Sequence, residues 1–288
     1  MRDHLVRFAV ISDIHANLSA LQAVLHAIEV EEEPVDRVIC AGDTVGRGPH
    51  PNEVLGLLRD RAVEVVRGNY DDAIAYDRIG SGVDFADAAS EAADQQALAW
   101  TRRTVTPQNL EYLRQLPRDV RLFPLPSGVR VKRDELRKRQ SEYGRSLFRR
   151  AIFGSLYRPT PERIKRILVV HGSPRALNER VTGETANSIL DTIAREAQTD
   201  LLISAHAGAG FMRRAVGMAF IGVGSLSGPH VAAGTGEYAL VDVRGDEPIV
   251  EFSRVEYDPA QHLAAMESHG LPSQWPAASM ESLNGYQS

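Results

Sequence analysis

The sequence predicts a single α/β domain, and three observations carry that expectation. Short apolar, β-branched runs alternate with segments of helical periodicity through the first third of the chain. Polar residues gather directly behind each run, where open α/β sheets bind ligands at the carboxyl ends of their strands. The 288 residues are 43% hydrophobic and 25% charged, a balance that fills a core rather than leaving a disordered chain.

In order along the chain, LVRFAVI is the first strand candidate. Leu18, Leu21, Val24, Leu25 and Ile28 then fall on one face of a helix, since residues three and four apart neighbour each other there. DRVICAG, PNEVLGLLRD and AVEVV repeat the strand, helix, strand alternation, so helices should pack on the faces of a sheet. Two helices are expected in the alanine-rich segment ADAASEAADQQALAWTRR and in TPQNLEYLRQL, the second opened by a Thr-Pro start signal. RDVRLF and RILVV are strand candidates separated by a basic stretch at 128–166, which reads as an insertion. TANSILDTIAREA is a helix and DLLISAH a strand. MAFIGVG, YALVDV and IVEFSRV are expected to form a second, mostly antiparallel sheet. The domain should occupy 1–270, with a poorly ordered Pro- and Ser-rich tail from 271 to 288.

Composition also excludes some function classes. No apolar run approaches the roughly 20 residues that cross a bilayer, and the N-terminus lacks a cleavable signal pattern, so the cytoplasm is expected and a membrane partner is not. The net charge of -5 argues against a generally basic nucleic-acid surface. The local cluster of Lys132, Arg133, Arg137, Lys138, Arg139, Arg145, Arg149 and Arg150 is read first as a solvated helix face, with nucleic-acid contact or a cap over the site as the sharper alternatives. Cys40 is the only cysteine and sits in an apolar run, where it acts as a small hydrophobe. GVGSLSG resembles a phosphate-binding glycine motif, but no helix pattern follows it, so it reads as a loop.

The chemistry is carried by donors behind the strands. Asp13 and His15 alternate with Ile14 after the first strand, so one loop can direct a hard oxygen and an imidazole at the same ion. Asp43 follows the second strand behind Gly42, and its two oxygens could bridge two cations. Asn69 follows the third and offers a neutral carbonyl oxygen. His171 and His206 follow RILVV and LLISA much later in the chain.

These residues, in the motifs Asp13-Ile14-His15, Gly42-Asp43, Gly68-Asn69-Tyr70-Asp71, His171-Gly172 and Ala205-His206-Ala207-Gly208, resemble the ordered motifs of the calcineurin-like metallophosphoesterase superfamily. DIHAN, GDTVGRGPHPNEV and GNYDD look especially like its small bacterial phosphodiesterase branch. The resemblance implies a four-layer α/β/β/α sandwich of two mixed sheets flanked by helices. It implies a first metal held by Asp13, His15 and Asp43, and a second held by Asp43, Asn69, His171 and His206. A metal-bound hydroxide would attack a small phosphodiester or nucleotide-like substrate, with Asp43, Asn69 and His171 in the catalytic set. Asn17, Arg47 and Tyr70 are expected at the substrate. Manganese is the expected ion, and iron or zinc suits the same oxygen and imidazole donors.

Two positions depart from the pattern. Gly208 replaces a first-metal histidine of the family, so the first site is expected to bind weakly, to complete itself with water or to recruit His230. Tyr70 stands where many relatives carry a histidine that assists the leaving group, which favours good leaving groups because a tyrosine pKa lies near 10. The rival reading is a decayed metallophosphoesterase fold that acts as a binding or scaffold protein.

Overall fold

In the computed structural model the described residues are 7–272, apart from 86, 125–163, 165, 229–230 and 232. The basic stretch, except Ile164 and Arg166, lies outside them, as do His230 and the tail beyond 272.

The run RFAVI forms β1 (Arg7–Ile11), and its nearly continuous burial marks a central strand. After a short loop, α1 (Leu18–Glu29) begins at Asn17, whose Oδ1 accepts from Ala20 N at 3.1 Å and so satisfies one of the orphan N–H groups of the first turn. The helix buries Leu21, Val24, Leu25 and Ile28 as its spacing predicts, and Leu18 packs at the edge of the same cluster. Next come β2 (Arg37–Cys40), α2 (Pro51–Asp60, with the proline in its first turn) and β3 (Glu64–Val65). GNYDD is not only a loop: it opens α3 (Asn69–Ala75). The alanine-rich region gives α4 (Ala88–Thr104) and α5 (Pro107–Gln115), capped by Asp87 and Thr106. Then follow β4 (Asp119–Leu122), β5 (Ile167–Val170), α6 (Asn187–Ala197), β6 (Leu201–Ser204), β7 (Phe211–Ala215), β8 (Met218–Gly222), β9 (Thr235–Asp242), β10 (Ile249–Glu256) and α7 (Ala260–Ser268).

Two five-stranded mixed sheets result, ordered β10-β9-β1-β2-β3 and β4-β5-β6-β8-β7. This corrects the expected placement of the last strands. Of the three runs expected there, only β8 joins the second sheet, parallel to β6, whereas β9 returns to pair antiparallel with β1 and carries β10 with it. Period-2 alternation fixes which face of a strand is buried, but not which neighbour it finds.

Three clusters of buried side chains define the layers. Phe8, Val10, Ile39, Val169, Ile203, Ile221 and Val241 fill the space between the sheets. Ile11, Leu21, Leu55 and Leu98 belong to the helical layer outside the first sheet, and Leu168, Leu202, Leu190 and Ile193 to the layer of α6 outside the second. The molecule is thus the α/β/β/α sandwich that the sequence implied. At roughly 1.5–3 kcal/mol for each fully buried large aliphatic side chain, the inter-sheet layer holds β1, β2, β5 and β6 in fixed mutual positions. The carboxyl ends of those strands carry the site.

Candidate metal centre

Behind β1 and β2 the backbone ladder does not stop where the strands do. Asp13 N donates to Gly42 O at 3.1 Å, His15 N to Asp43 O at 2.9 Å and Ala16 N to Thr44 O at 2.8 Å. Zipped together, the two loops turn in the left-handed region, with φ of 50° at Asp13, 45° at His15 and 55° at Asp43; His206, behind β6, has φ of 60°. For residues other than glycine that conformation costs on the order of 1–3 kcal/mol each and persists where surrounding structure over-determines it, often at functional sites. Here the packing of the sandwich holds four donor residues in it.

The donors converge. One ligand atom each from Asp13, Asp43, His171 and His206 lies within 4.8 Å of every other. His15 Nε2 is 3.7 Å from Asp43 Oδ2 and 4.0 Å from Asp13 Oδ1, and Asn69 Oδ1 is 2.8 Å from His171 Nε2. All six side chains expected as ligands therefore meet at one place, with Asp43 Oδ2 between His15 on one side and His171 on the other.

Asp43 is fully buried. Its Oδ1 accepts from Tyr70 N at 2.8 Å, but its Oδ2 has no hydrogen-bond partner of acceptable geometry among the described residues. The nearest imidazole nitrogen, His171 Nε2 at 3.2 Å, is directed at Asn69 Oδ1. His171 Nδ1 lies 2.8 Å from Ala41 O, and since a carbonyl only accepts, Nδ1 carries a proton. The lone pair of a neutral Nε2 would then face two oxygens, an arrangement that calls for a positive charge: a proton or a metal ion. Electrostatics agree. Burial disfavours charge on His171, but Asp43 raises its pKa to about 9. Burial likewise opposes the Asp43 carboxylate, yet the protonated His171 holds it well below the usual range. Burial and Arg47 depress His15 to about 3, and burial and His171 take His206 well below its ordinary value, so both are neutral imidazoles able to donate a lone pair. An orphaned buried carboxylate oxygen, with neutral His15 and His206 nearby and a position at His171 that calls for positive charge, fits a divalent cation.

The family model described as calcineurin-like phosphoesterase matches residues 6–209. The chain belongs to the calcineurin-like phosphoesterase family. An uncharacterized protein of Methanocaldococcus jannaschii is 37% identical over 110 residues, which are 38% of this chain and 41% of that protein, so the match spans less than half of that relative. A metallophosphoesterase from Sphaerobacter thermophilus is 24% identical, with 97% of this chain and 100% of that one aligned at a TM-score of 0.64. A hypothetical protein from Pyrococcus horikoshii OT3 is 22% identical, with 94% and 96% covered at a TM-score of 0.68. The two crystal structures establish the shared fold.

Within this calcineurin-like phosphoesterase, the residues expected at substrate are placed differently from one another. Asn17 is fully buried; its Oδ1 caps α1 and its Nδ2 donates to Leu226 O at 3.2 Å and Tyr257 Oη at 2.9 Å. Tyr70 is buried edge-on against His15, and its hydroxyl donates to Asp94 Oδ1 at 2.6 Å while accepting from Arg47 Nη2. Burial, opposed by Arg47, raises the Tyr70 pKa far beyond its ordinary value. Its proton is therefore committed to Asp94. Arg47 is partly exposed and stacks 4.7 Å above the Tyr70 ring.

Several supporting residues carry no motif signal. Asp94 sits in the alanine-rich α4, and Ser81 Oγ donates to its second oxygen at 3.1 Å. Ser12 donates to Asp13 Oδ2 at 2.7 Å. Asp71 accepts from Thr44 N, Thr44 Oγ1 and Gly68 N, tying the start of α3 to the loop that carries Asp43; burial, with Asp43, raises it to about 6. The GVGSLSG loop is followed by no helix among the described residues and instead braces the loop behind β1, with Ser225 Oγ 3.3 Å from Asp13 O. Cys40 is buried and its thiol pKa is raised by that burial, in keeping with a packing role.

Gly208 has φ of 81°, and its loop approaches Asp13, whose carboxylate accepts from the His206 backbone. Gly208→His is expected to tighten manganese binding by on the order of tenfold, the added imidazole outweighing about 1 kcal/mol of left-handed strain. Equilibrium dialysis measures it, and unchanged affinity would mean that this loop directs position 208 away from Asp13 and His15.

Proposed function

We propose that the chain is a metal-dependent phosphoric ester hydrolase of the cytoplasm that cleaves phosphodiesters, with manganese at the centre. The observation that carries this reading is the convergence of Asp13, Asp43, His171 and His206 within 4.8 Å around an unpartnered carboxylate oxygen. Asp13, His15 and Asp43 would hold one ion, and Asp43, Asn69, His171 and His206 a second, with Asp43 shared. When bound, such ions polarise phosphoryl oxygens and lower the pKa of water beside them.

The chain's own residues define the rest. Asn69 Nδ2 donates to Ser81 O at 2.9 Å, which fixes the amide so that Oδ1 faces the centre. Arg47 is held by Tyr70 with its guanidinium at the rim, suited to a phosphoryl oxygen. Tyr70, bonded to Asp94, has no proton to give a leaving group. Substrates whose leaving group departs without that help, such as aryl or nucleoside phosphodiesters, are therefore favoured. Small phosphate esters are the expected partners. Among the described residues no helix is long and apolar enough to cross a membrane.

The test is metal content and hydrolysis of bis-p-nitrophenyl phosphate on one manganese-reconstituted sample. Turnover that disappears with a chelator and returns with manganese is expected. Metal bound without turnover on aryl diesters or monoesters would sink the enzymatic reading and favour a scaffold built on the same fold.

A further inference from the structure

Next to the metal centre the described residues shape an open cleft of about 330 Å³. Its walls come from loops distant in sequence: Arg78 behind α3, Arg118 between α5 and β4, and Arg175 behind β5. Asn69, Ser81 and Asn178 complete the polar lining. Asn178 Nδ2 donates to Gly82 O at 2.7 Å, which ties the loop behind β5 to the loop behind α3 and holds the cleft's two sides together.

Charge in this cleft is out of balance. Among the described residues of the lining Asp72 is the only carboxylate, and it is already shared between Arg67 Nη1 at 3.1 Å and Arg78 Nε at 3.0 Å. Arg175 is forked onto Glu179, with Nε 2.9 Å from Oε2. Arg118 is exposed and makes no hydrogen bond or ion pair to any described residue. Three guanidinium groups thus face one cleft, and one of them has nothing to neutralise it among the described residues. Planar guanidinium forks match phosphate oxygens in geometry and in charge.

Position gives the cleft its meaning. Asn69 belongs to both sites: its Oδ1 meets His171 in the metal centre, while its Nδ2 bonds Ser81 in the cleft wall. A phosphate on the arginines and a phosphoryl group at the metal centre would flank one side chain, so the two sites adjoin and one molecule carrying both phosphates could reach them.

We propose that this cleft is an anion subsite that receives a second phosphate of the substrate, so that the substrates are phosphate esters or anhydrides carrying a further phosphate beside the one cleaved. The substrate assignment rests on the hydrolase reading above, whereas the anion site itself does not.

The test is calorimetric titration of the manganese-loaded full chain, at fixed free manganese, with methylenediphosphonate and with methylphosphonate. Neither is hydrolysed, so the result stands apart from turnover: an inactive chain can still show the subsite, and an active one can lack it. The bisphosphonate should bind at least about tenfold more tightly, a preference that two guanidinium forks can supply, and Arg118→Ala with Arg175→Ala should reduce it below about threefold. Equal affinities in the wild type, or a preference that survives the double substitution, would overturn the proposal by placing both phosphonates on the metal centre alone. If the double variant does not fold, Arg118→Ala carries the test, because that side chain is exposed and unbonded to described residues; it should cut the preference at least about twofold, and no change overturns the proposal.

Discussion

Asp43→Asn is expected to abolish metal uptake and to lower hydrolysis of bis-p-nitrophenyl phosphate by at least about 10³-fold, equivalent to roughly 4 kcal/mol of transition-state stabilisation. The substitution is nearly isosteric. Geometry gives it no reason to break the fold: the oxygen that accepts from Tyr70 N can remain, and the amide group takes the place of Oδ2, the atom without a partner among the described residues. It removes the negative charge that holds His171 protonated in the absence of metal and that would lie between two ions in its presence. Metal and fold can therefore be separated in one experiment. A ligand present at 100 times its Kd stabilises the native state by about 2.7 kcal/mol, so wild-type melting should rise on adding manganese. The variant should fold but show no such rise. A manganese-dependent rise equal to the wild type's would mean that Asp43 is not a ligand.

How much of this was legible in the sequence depends on the range over which each feature is encoded. Asp13, His15, Asp43, Asn69, His171 and His206 were readable because they follow five apolar strands, Asp13 and His15 sharing the first, and those strand ends meet once the two sheets pack together. α1 and α2 were equally local, with the buried faces fixed by helical spacing. What was missed is non-local. Asp94 reaches Tyr70 across 24 residues, from a helix whose composition signals only solubility. Asn17 is expected at the substrate from its motif, and its position just before α1 also makes it a cap, a role for which Ser, Thr, Asp and Asn are strongly preferred. Strand β7, with two arginines in five residues, is half exposed and carries little apolar pattern. The return of β9 to β1 was invisible because side-chain alternation is the same whichever sheet a strand joins.

Gly68→Ala is the second large effect, and it probes the seam between α3 and the loop carrying Asp43 without replacing a donor. Gly68 has ordinary extended backbone angles, φ -92° and ψ 177°, so alanine meets no conformational penalty. The obstacle is space. A Cβ there would stand 2.1 Å from Asp43 Oδ1 and 2.3 Å from Asp43 N, well inside contact distance of buried atoms that cannot swing away. Relief requires α3 to move off the loop, which would stretch the Tyr70 N to Asp43 Oδ1 bond of 2.8 Å and the Gly68 N to Asp71 Oδ2 bond of 2.9 Å. Overpacking of this kind costs about 3 kcal/mol, so thermal melting should fall by at least about 5 °C, and manganese affinity should fall with it as Asp43 turns. Gly56→Ala is the matched control: it lies inside α2 with no described atom beyond its chain neighbours and the helix's own backbone within 4 Å of the added carbon, and alanine there should stabilise by up to about 1 kcal/mol. The two substitutions add the same methyl group, so opposite signs isolate the close approach of Gly68 to Asp43 as the cause. Equal melting temperatures for the two variants would mean that α3 does not seat against this loop, and the position of Asn69 and Asp43 relative to each other would have to be redrawn.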